Sequence, residues 1–269
     1  MRIGNREFDT KHHTYIMGIL NVTPDSFSDG GKWNQYDAAM FHVKELLETG
    51  TDILDIGGES TRPGYQKVTV LEEIERVIPI IEAVRANYDV PISIDTCKSE
   101  VAKEALKAGA DLVNDIWGFQ FDPHMASVVK EYGAACCLMH NRKEAVYQDF
   151  LKEVCEDLKQ CVSTAKAAGI ADEKIILDPG VGFGKTYEMN LDVIRHLDVF
   201  SGLGYPMLLG TSRKSVIGLT LDLPAEEREE GTLVTTVMAV QSGYGFVRVH
   251  DTEKTRRAVR MTEAVLGRL

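Results

Sequence analysis

Three side chains at the ends of apolar runs carry the first chemical signal. Asp95 closes PISID, Asn114 sits near the end of DLVNDI, and Asp178 closes KIILD. A carboxylate in such a place acts as an acid or base, ligates a metal, or receives a donor-rich ligand. Two carboxylates and an amide suit the edge of a planar heterocycle with an amino-amide face. One carboxylate accepts two parallel N–H bonds from such a guanidine-like edge, as it does from arginine. The plainer alternative is that one of these aspartates only caps the following helix, and Thr96 and Ser99 offer further capping groups beside Asp95.

A second set is cationic. Arg248 and His250 are two apart on one strand candidate, so their side chains point the same way. Beside Arg62 and Asn21 they could hold a diphosphate, with Arg as a fork for phosphate oxygens and His as a further donor. The alternative is an ion pair between Arg248 and a neighbouring carboxylate. Ser212-Arg213-Lys214-Ser215 opens a helix whose free N–H groups could seat a carboxylate or phosphate. Lys214 could also be a Schiff-base lysine, but nothing else in the sequence calls for carbonyl chemistry. The loops from Asn21 to Gly31 and from Gly57 to Gly64 are long and carry Pro24, Phe27 and Pro63. They read as lids over a second substrate, or as ordinary surface loops.

Other patterns fail on spacing. Gly180 to Thr186 reads GVGFGKT, and the position five before Gly184 is Pro179, so the phosphate-cradling G-x-x-x-x-G-K-[ST] loop is absent. The same stretch is G-x-G-x-G and not the dinucleotide fingerprint G-x-G-x-x-G. His12-His13 reads as a polar surface pair, and Cys136-Cys137 as core packing inside an apolar strand.

These side chains need a scaffold that brings distant segments to one place. With 269 residues, 44% hydrophobic and 26% charged, the chain can bury a large core and is neither disordered nor fibrous. Strand candidates are Tyr15–Leu20, Asp52–Ile56, Pro91–Asp95, Asp111–Ile116, Ala134–Met139, Lys174–Asp178, Pro206–Gly210 and Phe246–His250. Most are continuous apolar runs without alternation, as parallel strands buried on both faces require. Helical patterns follow over Asp37–Glu48, Leu71–Arg85, Lys98–Lys107, Pro123–Glu131, Phe150–Ala168, Leu191–Leu197, Pro224–Gln241 and Thr252–Leu266. Asp122-Pro123 looks like a helix start, a capping carboxylate followed by proline at the first helical position. Eight such units predict a single (β/α)8 TIM barrel over residues 1–269. A short N-terminal hairpin turning at Gly4-Asn5 precedes it. Active sites of such barrels lie at the C-terminal ends of the strands, where every polar cluster above falls.

The net charge of −11 argues against nucleic acid or an anionic membrane surface as partner. The N-terminal stretch is polar, and no apolar run approaches the length of a spanning helix. Five cysteines at irregular spacing suit reduced thiols in the cytoplasm rather than a disulfide framework or a zinc site.

Eight blocks in order, MGILNVTPDSFSDGG, DIGGESTRPG, SIDT, NDIWG, MHNR, LDPGVGFGKT, GTSRKS and RVHD, resemble the dihydropteroate synthase family from Met17 to Asp251. The resemblance implies condensation of 4-aminobenzoate with (7,8-dihydropterin-6-yl)methyl diphosphate, giving 7,8-dihydropteroate and diphosphate. It implies that Asp95, Asn114 and Asp178 hold the pterin ring, with Lys214 on its carbonyl and N5 side. Ile116, Met139 and Phe183 would pack around the ring. Asn21, Arg248 and His250 would bind the diphosphate, Asn21 through Mg2+, and Thr61 would belong to the same donor-substrate site. Phe27, Arg62, Pro63, Gly182 and Ser215 would frame the aminobenzoate pocket. Asp95, Lys214, Arg248 and His250 are the expected catalytic groups, and a homodimer through the last two helices is implied. Two rivals are a pterin-dependent corrinoid methyltransferase and an inactive pterin-binding protein. Neither needs the lid around Asn21 together with Arg248 and His250.

Overall fold

A computed structural model of the chain describes residues 1–23, 32–59 and 68–268, with the side chains of 32–35 outside that description. A hairpin comes first: β1 (Arg2–Ile3) pairs antiparallel with β2 (Arg6–Glu7) across Gly4-Asn5. Gly4 adopts φ +57°, and a Cβ there would lie 2.6 Å from the Asp111 carboxylate, so the turn tolerates only glycine.

Eight parallel strands follow: β3 (Tyr15–Asn21), β4 (Ile53–Gly57), β5 (Ile92–Asp95), β6 (Leu112–Asp115), β7 (Ala135–Met139), β8 (Ile175–Asp178), β9 (Leu208–Leu209) and β10 (Phe246–Val249). Their order is β8-β7-β6-β5-β4-β3-β10-β9, and a parallel bridge between Leu177 and Met207 joins the two ends. The fold is the expected TIM barrel. Its helices are α1 (Lys32–Glu48), α2 (Val70–Asn87), α3 (Ser99–Ala108), α4 (Met125–Tyr132), α5 (Phe150–Ala167), α6 (Tyr187–Arg195), α7 (Leu197–Ser201), α8 (Ser215–Leu221), α9 (Glu229–Gln241) and α10 (Thr252–Val265).

Alternation along each strand sorts the core into two clusters. Ile16, Leu20, Leu54, Ile56, Ile94, Val113, Leu138 and Val247 face outward and pack against the helices. Met17, Ile53, Leu112, Cys137, Ile176, Leu208 and Phe246 face inward, and Ile3 and Phe8 of the hairpin segment join them as a plug in the barrel floor. Phe8 sits edge-on to Tyr15, ring centroids 4.8 Å apart. Cys136 and Cys137 are both buried in the core, one on each side of the strand.

Several boundaries differ from the sequence reading. Asp122-Pro123 does not start a helix; α4 begins at Met125. Asp122 instead accepts the backbone N–H of Ser99 at 2.8 Å, at the start of α3, and that of His124 at 2.9 Å. The run Leu191–Leu197 is interrupted at His196, which ends α6 and precedes α7. Pro224–Gln241 divides into a 3-10 turn at Ala225–Glu227 and α9. Ile116 lies in the turn after β6 rather than on the strand.

Candidate active site

The inward positions change character toward the C-terminal ends of the strands. Asp55, Asp95, Asn114, Asp178 and Arg248 stand two residues beyond Ile53, Ser93, Leu112, Ile176 and Phe246. Strand register makes Asp95 and Asn114 direct neighbours and sets Met139 opposite Asp178.

Arg248 organises one side. Its Nε donates to Asp55 Oδ2 at 2.6 Å and an Nη to Asp95 Oδ2 at 2.6 Å. The ion-pair alternative for Arg248 is thus realised in this state. Burial works against the guanidinium charge, but Asp55 and Asp95 outweigh it and raise the pKa. Burial pushes the Asp95 carboxyl up, and Arg248 opposes that shift. Asp95 does not cap α3; Thr96 accepts the Lys98 N–H at 3.2 Å and Asp122 serves Ser99. Asn114 Nδ2 donates to Asp55 Oδ2 at 3.3 Å, while Asp55 Oδ1 is buried with no partner among the described residues.

Asp178 and Lys214 form the other side. Asp178 Oδ1 accepts the N–H of Gly180 at 2.7 Å. Lys214 Nζ donates to the Val181 carbonyl at 2.5 Å and lies 4.7 Å from the centroid of the Phe183 ring. Burial lowers the Lys214 ammonium to about 8, with Asp178 pulling the other way. The same exchange appears at Asp178, which burial raises and Lys214 lowers. The two sides meet over Gly210. A Cβ there would lie 3.7 Å from Asp178 Oδ2, 3.8 Å from Lys214 Nζ and 3.9 Å from Arg248 Cβ. Asp178, Lys214 and the stem of Arg248 thus lie around one glycine, at distances a Cβ would meet as ordinary contacts. Gly182 approaches Lys214 as well, its missing Cβ 3.2 Å from Lys214 Cδ.

The rim carries the remaining expected residues. Asn21 ends β3 opposite Gly57, and a Cβ on Gly57 would lie 3.7 Å from Asp95 Oδ2 and 3.8 Å from Asn21 Oδ1. His250 follows β10, with Nδ1 2.9 Å from Ser212 Oγ, which also accepts the His250 N–H at 3.2 Å. Ser215 is exposed and opens α8, whose N-cap Lys214 makes no side-chain capping bond. Phe27, Thr61, Arg62 and Pro63 lie outside the described residues. No group of three or more His, Cys, Asp or Glu among the described residues could hold a metal ion.

Asp55 is a site residue that the sequence reading missed. Its signal was present: a carboxylate in the middle of the apolar run ILDIG, where only a partnered charge is tolerable. Lys185 and His140 were also given no role; Lys185 Nζ lies 2.7 Å from His140 Nδ1 and donates to the Gly180 carbonyl at 2.9 Å.

The arrangement offers acceptors at Asp95 and Asp178, an amide at Asn114, a buried ammonium and a guanidinium around one opening. It therefore suits a neutral, donor-rich ring with an anionic substituent. Comparison with known proteins agrees with this chemistry. Residues 17–250 match the profile of the family described as pterin binding enzyme. A dihydropteroate synthase of Clostridium beijerinckii is 56% identical, with all of both chains covered. The crystal structure of a Clostridium difficile dihydropteroate synthase in the presence of pteroic acid superposes with TM-score 0.94 at 51% identity, over 96% of this chain and 99% of that one. A Xanthomonas albilineans dihydropteroate synthase with 4-aminobenzoic acid gives TM-score 0.90 at 42% identity, over 94% of this chain and 93% of that one. The chain belongs to the dihydropteroate synthase family of pterin-binding enzymes.

Proposed function

We propose that the chain joins 4-aminobenzoate to (7,8-dihydropterin-6-yl)methyl diphosphate, releasing diphosphate and 7,8-dihydropteroate. The observation that carries this reading is the meeting of Asp178 Oδ2, Lys214 Nζ and the stem of Arg248 around Gly210. Asp178 accepts the amino-amide edge of the pterin, Asn114 supplies a further polar contact, and Lys214 donates to the ring carbonyl and N5 side. Met139, Ile116 and Phe183 pack on the ring, with Met139 nearly fully buried beside Asp178.

An aryl amine is a weak nucleophile, and no general base stands out on the rim. The reaction therefore leans on departure of the leaving group. The methylene C–O bond breaks, its electron pair goes to diphosphate, and Arg248 and His250 stabilise that charge. Asp95 faces the positive charge that develops on the methylene carbon. The amine nitrogen then bonds to that carbon, and its proton passes to the departed diphosphate or to solvent. Phe27, Arg62, Pro63, Gly182 and Ser215 frame the second substrate, Thr61 belongs with the donor substrate, and exclusion of water protects the cation from hydrolysis.

Mg2+ prefers oxygen donors and often keeps only one or two protein ligands beside substrate phosphates. The amide oxygen of Asn21, facing the gap left by Gly57, fits that habit, so Asn21 is the residue that would hold the ion. When bound, the ion neutralises charge on the diphosphate. A homodimer is supported by exposed Val234 on α9 and exposed Met261, Val265 and Leu266 in and after α10. A cytoplasmic setting is supported by the free thiols of all five cysteines, and no described helix is long and apolar enough to cross a membrane.

Diphosphate release, measured with and without 4-aminobenzoate, tests the reading. Release that needs the amine, matched by equal dihydropteroate, is expected. Tight pterin binding with no release at all would make the chain an inactive binder.

A further inference from the structure

The GVGFGKT stretch lacks the spacing of a nucleotide motif, yet its lysine occupies an unusual place. Lys185 Nζ donates to the carbonyl oxygens of Gly180 at 2.9 Å and Phe183 at 3.0 Å, and lies 2.7 Å from His140 Nδ1. Three acceptors match the three N–H bonds of an ammonium. His140 is buried, and its Nε2 lies 3.1 Å from Asp157 Oδ2. Satisfying all these groups requires neutral imidazole with the proton on Nε2, given to Asp157, and the Nδ1 lone pair turned to Lys185. Burial, and then the charge of Lys185, hold His140 neutral by lowering its pKa to about 3.

The loop above is laid directly on the end of β7. Gly180, at φ +70°, would drive a Cβ into the His140 carbonyl oxygen, and Gly184, at φ +54°, would place one 2.6 Å from that of Arg142. Between these glycines the loop carries two parts of the candidate site. The Val181 carbonyl holds Lys214, and the Phe183 ring lies beside the same ammonium.

We infer that Lys185 is a positioning residue for the pterin site, pinning the 180–184 loop onto the end of β7 and so fixing Phe183 and the Val181 carbonyl that holds Lys214. The inference rests on the functional reading above and adds a residue to it. Lys185→Met keeps an apolar side chain of similar length and removes all three donors.

The test measures the calorimetric Kd of 6-hydroxymethylpterin and the Michaelis constants of both substrates. In Lys185→Met, the pterin Kd and the Michaelis constant for the pterin diphosphate are expected to rise about tenfold or more, as loss of bonds from a charged donor implies. The Michaelis constant for the aminobenzoate substrate should rise less, because Gly182, the loop residue on that side, is also held by its own N–H bond to Asn190 Oδ1 at 2.6 Å. His140→Leu removes one acceptor but leaves both carbonyl bonds, and a smaller rise of about two- to fivefold in pterin Kd is expected. It reads the same brace should Lys185→Met not fold. Unchanged pterin Kd in the variants that fold, or equal rises for both substrates, overturns the inference. Wild-type protein that binds no pterin overturns the functional reading and this inference with it.

Discussion

On β10, Phe246 faces the floor of the barrel and Arg248, two residues on, faces its mouth. Ile53 and Asp55, Leu112 and Asn114, and Ile176 and Asp178 repeat the same step on other strands. The floor is held by burial without direction: Ile3, Phe8, Ile53, Leu112 and Phe246 are all nearly or fully buried. The mouth is held by bonds that need specific partners, and one partner is missing. Asp55 Oδ1 is buried without a hydrogen bond among the described residues. An unpaired buried acceptor costs about 1–3 kcal/mol. The lower half of the barrel thus supplies stability, and the upper half gives some of it up for a ligand.

Substitutions along β10 separate the two regions. Phe246→Ala is expected to cost about 3–5 kcal/mol of unfolding free energy by leaving a cavity, while pterin Kd of the folded fraction stays unchanged. Urea unfolding and calorimetry read the two quantities. Arg248→Met is expected to cost a comparable amount, about 3–5 kcal/mol, for a different reason: it strands two buried carboxylates. Asp95, already raised by burial, loses the Arg248 charge that opposed the rise, so its folded pKa moves further above the unfolded one and the penalty is small at pH 4 and grows as pH rises. A pH-independent loss in Arg248→Met would contradict this. Arg248→Met combined with Asp95→Asn should recover part of the loss at pH 8.

At Asp178 the order of effects reverses. Asp178→Asn is expected to weaken pterin binding about 10- to 100-fold, as loss of a bond to a charged acceptor implies, and to leave unfolding nearly unaffected. An unfolding loss as large as that of Phe246→Ala would blur the division between floor and mouth. The smallest effect is with pH. Burial brings Lys185 down to about 7 and Lys214 down to about 8. Lys185 is faced by Asp178, Lys214, Asp157, Arg142 and His140, and Lys214 by Asp178, Arg248 and Asp95. Both ammonium groups are charged below this window and lose protons above it, so pterin affinity should fall as pH rises from about 7 to 9. Lys214→Met should bind more weakly at pH 6 and lose the upper part of that fall.

The barrel was legible because buried parallel strands are written as unbroken apolar runs. The site was legible where a polar residue ended such a run, as at Asp95, Asn114 and Asp178. Asp55 escaped because it stands inside its run, and its partner Arg248 is far away in the chain. The helix reading failed where capping groups served another element. Asp122 looked like the cap of its own helix, but its carboxylate reaches the start of α3. No local pattern announces such a contact. Lys185 escaped for the opposite reason: its neighbours suggested a nucleotide motif, and rejecting the motif left the lysine without a role.

The plug of the barrel floor also bears on how the chain is made. β3 leaves the ribosome early, but its second neighbour, β10, comes near the end. Until β10 arrives, β3 carries an unpaired edge, and Phe8 has no Phe246 to rest against, the ring centroids lying 5.8 Å apart once both are in place. An open parallel edge invites pairing with other chains, and long-range closure is slow. During synthesis, the floor that steadies the finished protein is therefore completed only when the last strand arrives.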